Sequence, residues 1–344
     1  MPLVYLSRRR YQLIVILVIC LIGIFYFNVT PCFLVPCKEF SSCDDTQTLS
    51  SEPLIFIGGY PRSGTTLMRV LLDVHPDVRC GPETHILPLI LYLYSFKIKT
   101  MYNRLRMANI TDELVDSIFI KAISTLIHEA GPPAGRLCTK DPFIDLCLKQ
   151  LLHLYPNAKF ILMVRDGRAV TQSVLSRNIR ISKLDVSSPE KVLETWDKHY
   201  KHVLPHCLVS PRCRVVRYED LVLRPKENLQ SILQWLQIPW DDVVLQHDQN
   251  MESVNLPRIE RSTSQVVFPI YTEALTRWSQ PDSKIPESLI NKSQSFEMMR
   301  HFGYANLSIP PVYGIPEPEV EERARLLAKN TEFKKLFSLM TEKS

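Results

Sequence analysis

Short apolar runs alternate along this chain with longer segments in which apolar residues recur every three or four positions. The short runs predict four β-strands, at Leu54–Ile57, Leu137–Thr139, Lys159–Val164 and Arg214–Arg217. The longer segments predict helices at Thr65–His75, Asp112–Glu129, Ile144–Leu154, Gly167–Arg177, Pro189–Val203, Pro225–Leu236 and Val320–Leu339. Because strands separated by helices need crossover connections, this order predicts an α/β fold: a central parallel sheet with helices on both faces.

An uncharged apolar segment, Tyr11 to Phe27, precedes the first predicted strand and follows three consecutive arginines. Its length is close to the shortest that spans a bilayer, and the arginines predict that the N-terminus stays in the cytosol. We therefore predict a single N-terminal transmembrane helix, a type II signal anchor. A cleaved signal peptide is the alternative, but no small-x-small cleavage site follows Phe27. The predicted organisation is a cytosolic tail (1–10), the anchor (11–27), a lumenal stem (28–52), the main domain (53–314) and a charged C-terminal helix or tail (315–344).

Charge and cysteine content exclude some classes of function. The formal net charge is +5, and the three arginines at 8–10 account for three of these charges, which leaves +2 for the rest. So small an excess argues against a nucleic-acid partner. No Cys/His spacing among the nine cysteines and nine histidines is typical of a zinc site, so we predict no metal. Sequons at Asn109, Asn291 and Asn306 predict glycosylation in a lumenal compartment.

The first predicted strand runs into the sequence Gly-Gly-Tyr-Pro-Arg-Ser-Gly-Thr-Thr at 58–66. A glycine-containing turn between a strand and a helix presents backbone N–H groups and the positive end of the helix to an anion. The lysine of the nucleoside triphosphatase loop is missing, since Thr65 and Thr66 follow Gly64 directly. The loop therefore predicts phosphate binding without cleavage of a triphosphate, and it disfavours a kinase or nucleotide hydrolase.

A second group of phosphate-binding residues follows another predicted strand. Arg165 comes directly after Lys159–Val164, Ser173 lies eight residues further on, and Arg177 is one helical turn beyond Ser173. Guanidinium groups and hydroxyls are good hydrogen-bond donors to phosphate. Two phosphate-binding groups after two strands predict a ligand with two separate phosphate positions.

The phosphate loop and the strand-Arg-x7-Ser pattern together resemble the sulfotransferases. Longer motifs narrow this to a resemblance to the tyrosylprotein sulfotransferases, Golgi enzymes that sulfate tyrosines of secreted and membrane proteins. These motifs are Leu-Asp-x-His-Pro-Asp-Val-Arg-Cys-Gly at 72–81, Cys-Thr-Lys-Asp-Pro-Phe at 138–143, Met-Val-Arg-Asp-Gly-Arg-Ala at 163–169 and Ile-Glu-Arg-Ser-Thr at 259–263. The resemblance covers roughly residues 56–313. It implies a P-loop-like sulfotransferase fold over 53–314 that transfers a sulfuryl group, by an in-line reaction, from 3′-phosphoadenylyl sulfate (PAPS) to tyrosine hydroxyls.

The resemblance also implies partners, location and residue roles. The acceptors would be tyrosine-containing secretory or membrane proteins, and the enzyme a homodimer in the Golgi membrane with its catalytic domain in the lumen. Glu83 corresponds to the base that removes the phenol proton, Lys140 to the residue that neutralises the leaving phosphate, and Ser262 to a second donor to the transition state. A loop at 262–271 would close over the donor. The positions that correspond to donor contacts are Arg62, Ser63, Gly64, Thr65, Thr66, Arg165, Ser173, Arg177, Tyr218, Ser262, Thr263, Gln265, Val266 and Arg277. The implied disulfides are Cys80–Cys138 and Cys207–Cys213.

The segment after the base departs from the family pattern. Where the family reads Gly-Glu-Glu-Thr-Arg-x-x-Pro-Arg, this chain has Pro82 before Glu83, then His85 and Leu89 in place of the two arginines. In the family these arginines lie along the groove for acidic residues that flank the tyrosine. We therefore expect weaker affinity for acidic peptides, restored in part when His85 is protonated.

Two alternatives stay open at this point. A carbohydrate sulfotransferase on the same fold is compatible with the altered segment, although the long motifs argue against it. A relative that binds donor or acidic protein without turnover is the other alternative. The joint presence of Glu83, Lys140 and Ser262 argues against it, because an idle site has no chemical need for all three.

Overall fold

The computed structural model describes residues 43–177, 185–254, 266–331 and 335. The predicted tail, the anchor at 11–27, most of the stem, and Ser262, Thr263 and Gln265 lie outside the described residues. Within those ranges, no helix is both long and apolar enough to cross a bilayer. Contacts between residues divide the chain into two units, 1–45 and 46–344, and the sheet described below lies in the second.

The centre of this unit is a five-stranded parallel sheet, as the alternation of strands and helices predicts. The strands are β1 (Ile55–Gly58), β2 (Val78–Cys80), β3 (Arg136–Lys140), β4 (Lys159–Val164) and β5 (Cys213–Arg217), in the spatial order β2-β3-β1-β4-β5. All four neighbouring pairs are parallel. The sequence prediction missed β2, whose three residues are too few to show a strand pattern.

Thirteen α-helices lie in the described ranges. They are α1 (Cys43–Ser50), α2 (Thr65–Asp73), α3 (Ile86–Met107), α4 (Asp112–Glu129), α5 (Leu148–Leu154), α6 (Gly167–Ser176), α7 (Pro189–Leu208), α8 (Tyr218–Leu223), α9 (Pro225–Leu236), α10 (Glu273–Thr276), α11 (Glu287–Ser293), α12 (Glu297–His301) and α13 (Pro318–Lys329). The prediction missed α3 entirely, and it placed a helix at 144–154 where a 3-10 turn, Ile144–Cys147, leads into α5. Of the predicted C-terminal helix, α13 is the part that the described residues contain.

Helices cover both faces of the sheet, as predicted. Along β4, Phe160 and Leu162 belong to a core shared with helices α3 to α7, whereas Ile161 and Met163 belong to a core shared with α2, α8 and α9. All four of these side chains are fully buried. Strands buried on both sides read as continuous apolar runs, which is why β4 was recognisable from the sequence. With both faces covered, the strand ends are the part of the sheet where a ligand can approach.

Candidate functional site

The predicted site residues come from separate segments, and the parallel sheet brings those segments to one edge. β1 lies in the middle with β3 on one side and β4 on the other, so the loop after Gly58 begins where the winding of the sheet changes direction. In α/β sheets this switch point is the usual place for a ligand. Arg165 follows β4 directly, and Tyr218 follows Arg217, the residue of β5 that pairs with Val164.

The loop after β1 needs its glycines for close packing. Gly59 has a φ of 150°, and a Cβ there would lie 2.4 Å from the Met163 carbonyl oxygen. Gly64 has a φ of 98° and precedes the first turn of α2, and a Cβ there would lie 2.5 Å from the Tyr218 ring. The loop therefore lies directly against β4 and Tyr218, with the free N–H groups of the first turn of α2 at its end.

Most of the predicted donor residues line a single cavity of about 470 Å³. The predicted residues that line it are Arg62, Gly64, Thr65, Thr66, Arg165, Ser173, Arg177, Tyr218, Val266 and Arg277. Ser63 is a residue of the same loop, but it is fully buried and does not line the cavity. Residues 268–271, part of the predicted closing loop, line it as well.

Three guanidinium groups meet in this cavity. The Nε of Arg62 donates to the Ser173 hydroxyl at 3.0 Å. Burial, followed by repulsion from Arg177 and Arg165, lowers the pKa of Arg62 to about 9. Burial also lowers the pKa of Arg177, and Arg165 contributes to that shift. A cluster of cations that repel one another in a partly dry site is stabilised by a bound anion, so the cavity is suited to a multiply charged ligand.

Within this cluster, the side chain of Arg165 has one buried hydrogen-bond donor that no described residue satisfies. Its guanidinium stacks 4.3 Å from the centre of the Tyr218 ring. Its terminal nitrogens donate to the backbone carbonyls of Arg62, at 3.2 Å, and Ala274, at 2.8 Å. Its Nε is buried and has no hydrogen-bond partner among the described residues. An unsatisfied buried donor costs about 1–3 kcal/mol, and an anion in the cavity would remove that cost. The residues present therefore fit a phosphate-bearing ligand.

Glu83 and Lys140 form a second part of the site and do not line the cavity. Lys140 is the last residue of β3, only 1% of its side chain is exposed, and its ammonium donates to Oε2 of Glu83. The other carboxylate oxygen, Oε1, lies 3.2 Å from Nε2 of His85. The backbone N–H of His85 donates to the buried carboxylate of Asp141 at 2.8 Å. A carboxylate held at both oxygens on a fixed loop is suited to accept a proton from a positioned hydroxyl.

The predicted disulfides are present, and one of them joins the two loops of this second part. Cys80 and Cys138 are register partners on β2 and β3, and a disulfide links them. It lies three residues before Glu83 and two before Lys140, so these two side chains are anchored to the same pair of strands. The second predicted disulfide joins Cys207 to Cys213, where α7 leads into β5.

The sequence prediction missed several residues that line the cavity, among them Gln172, Trp278 and Lys284. The side-chain oxygen of Gln172 accepts a hydrogen bond from the Lys284 backbone at 2.6 Å, which fixes a distant segment to α6. Trp278 is fully buried beneath the Arg168 guanidinium, 4.0 Å from the ring centre, and Arg168 in turn forms an ion pair with Asp166. Trp278 and Lys284 come from segments with no local motif, so spacing could not have identified them.

The remaining predicted residues are Arg277 and three residues of the predicted closing loop. Arg277 lines the cavity, but its guanidinium is half-exposed and pairs with Asp282 at 2.6 Å. Ser262, with Thr263 and Gln265, lies outside the described residues. The prediction that no metal is bound stays a prediction, although the described ranges contain no group of His, Cys, Asp and Glu side chains suited to hold one.

Comparison with known proteins agrees with this arrangement. Residues 53–242 match a family described as the sulfotransferase family. Protein-tyrosine sulfotransferase 1 of Danio rerio is 42% identical over 287 residues, which cover 81% of this chain and 80% of the relative. Protein-tyrosine sulfotransferase 1 of Homo sapiens is 41% identical over 285 residues, which cover 80% of this chain and 76% of the relative. A solved mouse sulfotransferase, SULT7A1 complexed with PAP, covers 76% of this chain and 93% of its own at 15% identity and a TM-score of 0.40, too low to carry an argument.

Proposed function

Because the chain belongs to the sulfotransferase family, and within it to the protein-tyrosine sulfotransferases, we propose that it transfers a sulfuryl group from PAPS to tyrosine hydroxyls of proteins. The single observation that carries this proposal beyond the family is the arrangement at the sheet edge. A cavity with three clustered arginines and a carboxylate held by a buried lysine lie at the same edge of the sheet. Relatives named for tyrosine sulfation support a tyrosine acceptor over a carbohydrate.

The residues that would hold PAPS are those of the cavity. The backbone N–H groups at Gly64 to Thr66, with the guanidinium of Arg62, are suited to one phosphate group, and Arg165, Ser173 and Arg177 to another. The ring of Tyr218, already stacked on Arg165, closes one side of the cavity. When bound, PAPS would supply the sulfuryl group: as the phenol oxygen bonds to sulfur, the bond from sulfur to the bridging oxygen would break, and 3′-phosphoadenosine 5′-phosphate (PAP) would leave with the negative charge.

Glu83 is proposed to act on the acceptor, and Lys140 on the leaving phosphate. A phenol is almost fully protonated at neutral pH, so a carboxylate must take its proton as the new S–O bond forms. Glu83 is held for this task, since Lys140 fixes Oε2 and the exposed imidazole of His85 contacts Oε1. A phenol that reaches Oε1 would share or displace the contact with His85. The ammonium of Lys140 places a positive charge at the end of β3, where negative charge on a leaving phosphate needs stabilisation. Ser262 is proposed as a further donor from the loop at 262–271.

We propose a type II protein of the Golgi membrane, anchored by residues 11–27, whose glycosylated catalytic domain lies in the lumen and forms a homodimer. The three sequon asparagines, Asn109, Asn291 and Asn306, are all exposed, as glycosylation requires. The two disulfides are typical of proteins that fold in an oxidising compartment.

The test is transfer of labelled sulfate from PAPS by the full chain. A peptide with one tyrosine and a matched peptide with phenylalanine at that position are offered together, and the Glu83→Gln variant serves as the blank. We expect label on the tyrosine peptide alone, and none with the variant. Binding of PAP without label on any tyrosine would contradict the proposal and return a carbohydrate acceptor or an inactive site to consideration.

A further inference from the structure

The surface that adjoins Glu83 on α3 is apolar and uncharged. Helix α3 begins at Ile86, three residues after Glu83, and residues 86–96 contain no charged side chain. On one side of this helix Leu87 and Leu91 are buried in the core. The side chains that remain exposed are Ile86, Leu89, Tyr92, Leu93 and Phe96. We refer to these five exposed residues as the α3 surface.

This surface lies within reach of any polypeptide whose tyrosine reaches Glu83. An extended chain advances about 3.3 Å per residue, so three residues beside the tyrosine span about 10 Å. Seven residues of helix, from Ile86 to Leu93, also rise about 10 Å. The first basic residue along the helix is Lys97, eleven positions after Ile86 and about 16 Å away along the axis. The near flank of an acceptor would therefore meet apolar side chains before it meets a charge on this helix.

The imidazole of His85, at the start of this helix, contacts the carboxylate of Glu83. Nε2 of His85 lies 3.2 Å from Oε1 of Glu83, and its backbone N–H is bound to Asp141. In this position the imidazole interacts with the base instead of with an acidic residue of an acceptor. The 3-10 turn that follows the Lys140 loop packs against α3 and adds one more exposed apolar side chain, Leu146.

We propose that the acceptor segment of this enzyme carries apolar residues next to the target tyrosine, and that the α3 surface binds them. The proposal rests on the proposed function and names the substrate class for that site. Tyr92 and Phe96 stack with ring centres 5.8 Å apart, which gives the surface a flat aromatic end. Burial of apolar side chains there favours Leu, Val or Phe beside the tyrosine, whereas a carboxylate would lose water without gaining a cation.

The test compares three peptides with one central tyrosine, flanked on both sides by Leu and Val, by Ser and Asn, or by Asp and Glu. The full chain is assayed for sulfate transfer from labelled PAPS, and kcat/KM is measured for each peptide. We expect the apolar peptide to exceed the acidic peptide by about tenfold, mainly through KM. The Leu89→Arg variant should reverse this ranking, because a guanidinium on the surface can bind a carboxylate.

Leu208→Arg is the matched control, since Leu208 is 62% exposed and Leu89 is 64% exposed, both on helices. We expect Leu208→Arg to keep the ranking of the native chain. Leu93→Arg is a second variant at the proposed surface, in case Leu89→Arg does not fold. The proposal is overturned if the native chain prefers the acidic peptide, or if neither surface variant changes the ranking.

Two further outcomes distinguish failure of the proposed function from failure of this inference alone. If no tyrosine peptide is labelled, the proposed function fails and this inference fails with it. If peptides are labelled but the acidic one is preferred, the function stands and only this inference fails.

Sedimentation equilibrium of the native chain and of the Leu89→Arg variant tests whether a second copy of the chain occupies the α3 surface instead. A dimer that the variant converts to monomer, with the peptide ranking unchanged, would assign the surface to that copy and overturn the proposal.

Discussion

Replacement of Glu83 by glutamine separates proton transfer from binding, because glutamine keeps the shape of the side chain and removes its charge. A positioned base contributes about 10²–10⁴ in rate, so we expect kcat to fall by that factor. Glu83 does not line the cavity that holds the predicted phosphate contacts, so the affinity for PAP should stay within about twofold.

The structure also predicts a cost in stability. Only 1% of the Lys140 side chain and 12% of the Glu83 side chain are exposed, so the variant removes a carboxylate partner from a buried ammonium. Breaking a buried pair from one side costs about 3 kcal/mol, which corresponds to a fall in melting temperature of about 6 °C at roughly 2 °C per kcal/mol.

The control is Glu190→Gln, the same substitution in an exposed pair with Lys292. We expect it to change neither kcat nor the melting temperature measurably. The assays are single-turnover sulfate transfer, calorimetric titration with PAP and thermal unfolding. An equal loss of PAP affinity and rate would show that Glu83 maintains the structure of the site instead of accepting the proton. A melting temperature equal to that of the native chain would refute the argument about Lys140.

Three further predictions follow from other features of the site. Since the pKa of Arg62 is lowered to about 9, its positive charge is present below pH 8. The second pKa of a phosphate group is about 6, so the affinity for PAP should be constant between about pH 7 and pH 8. It should fall by up to about tenfold per pH unit above pH 9, and a titration series with no fall would contradict this. Gly64→Ala should lower stability by about 1–3 kcal/mol more than Gly303→Ala, because both glycines have a positive φ but only Gly64 would bring a Cβ against Tyr218. Equal losses in thermal unfolding would refute the steric argument. Burial, then the nearby Asp145, raises the pKa of the free thiol Cys147 to about 11, so iodoacetamide at pH 8 should label it only after unfolding.

The sequence could predict that the residues of the cavity lie together, because many of them follow strands directly. The loop at 58–66 and the residues after β4 each lie next to a buried strand, and parallel strands bring such segments to one edge. Recognition failed for α3, because apolar residues occupy nearly every position from Ile86 to Leu93 and leave no helical period to detect. It failed for Lys284 because that segment is held at the cavity by hydrogen bonds from Ser283 and Lys284 to Gln172, more than one hundred residues away in the chain.

The sequence by itself determined the parallel α/β architecture and the turn at 58–66 between a strand and a helix, since these depend on local periodicity. The roles of Glu83 and Lys140 stay predictions that the family resemblance implies. Only the tertiary structure decided which charges lie together. The mutual repulsion of Arg62, Arg165 and Arg177 exists because the strand order places the loop after β1 against the segment after β4. The same holds for the contact of His85 with Glu83, which depends on how one loop is fixed by a disulfide and a buried lysine. Coulomb interactions depend on distance in space, and sequence separation carries almost no information about that distance.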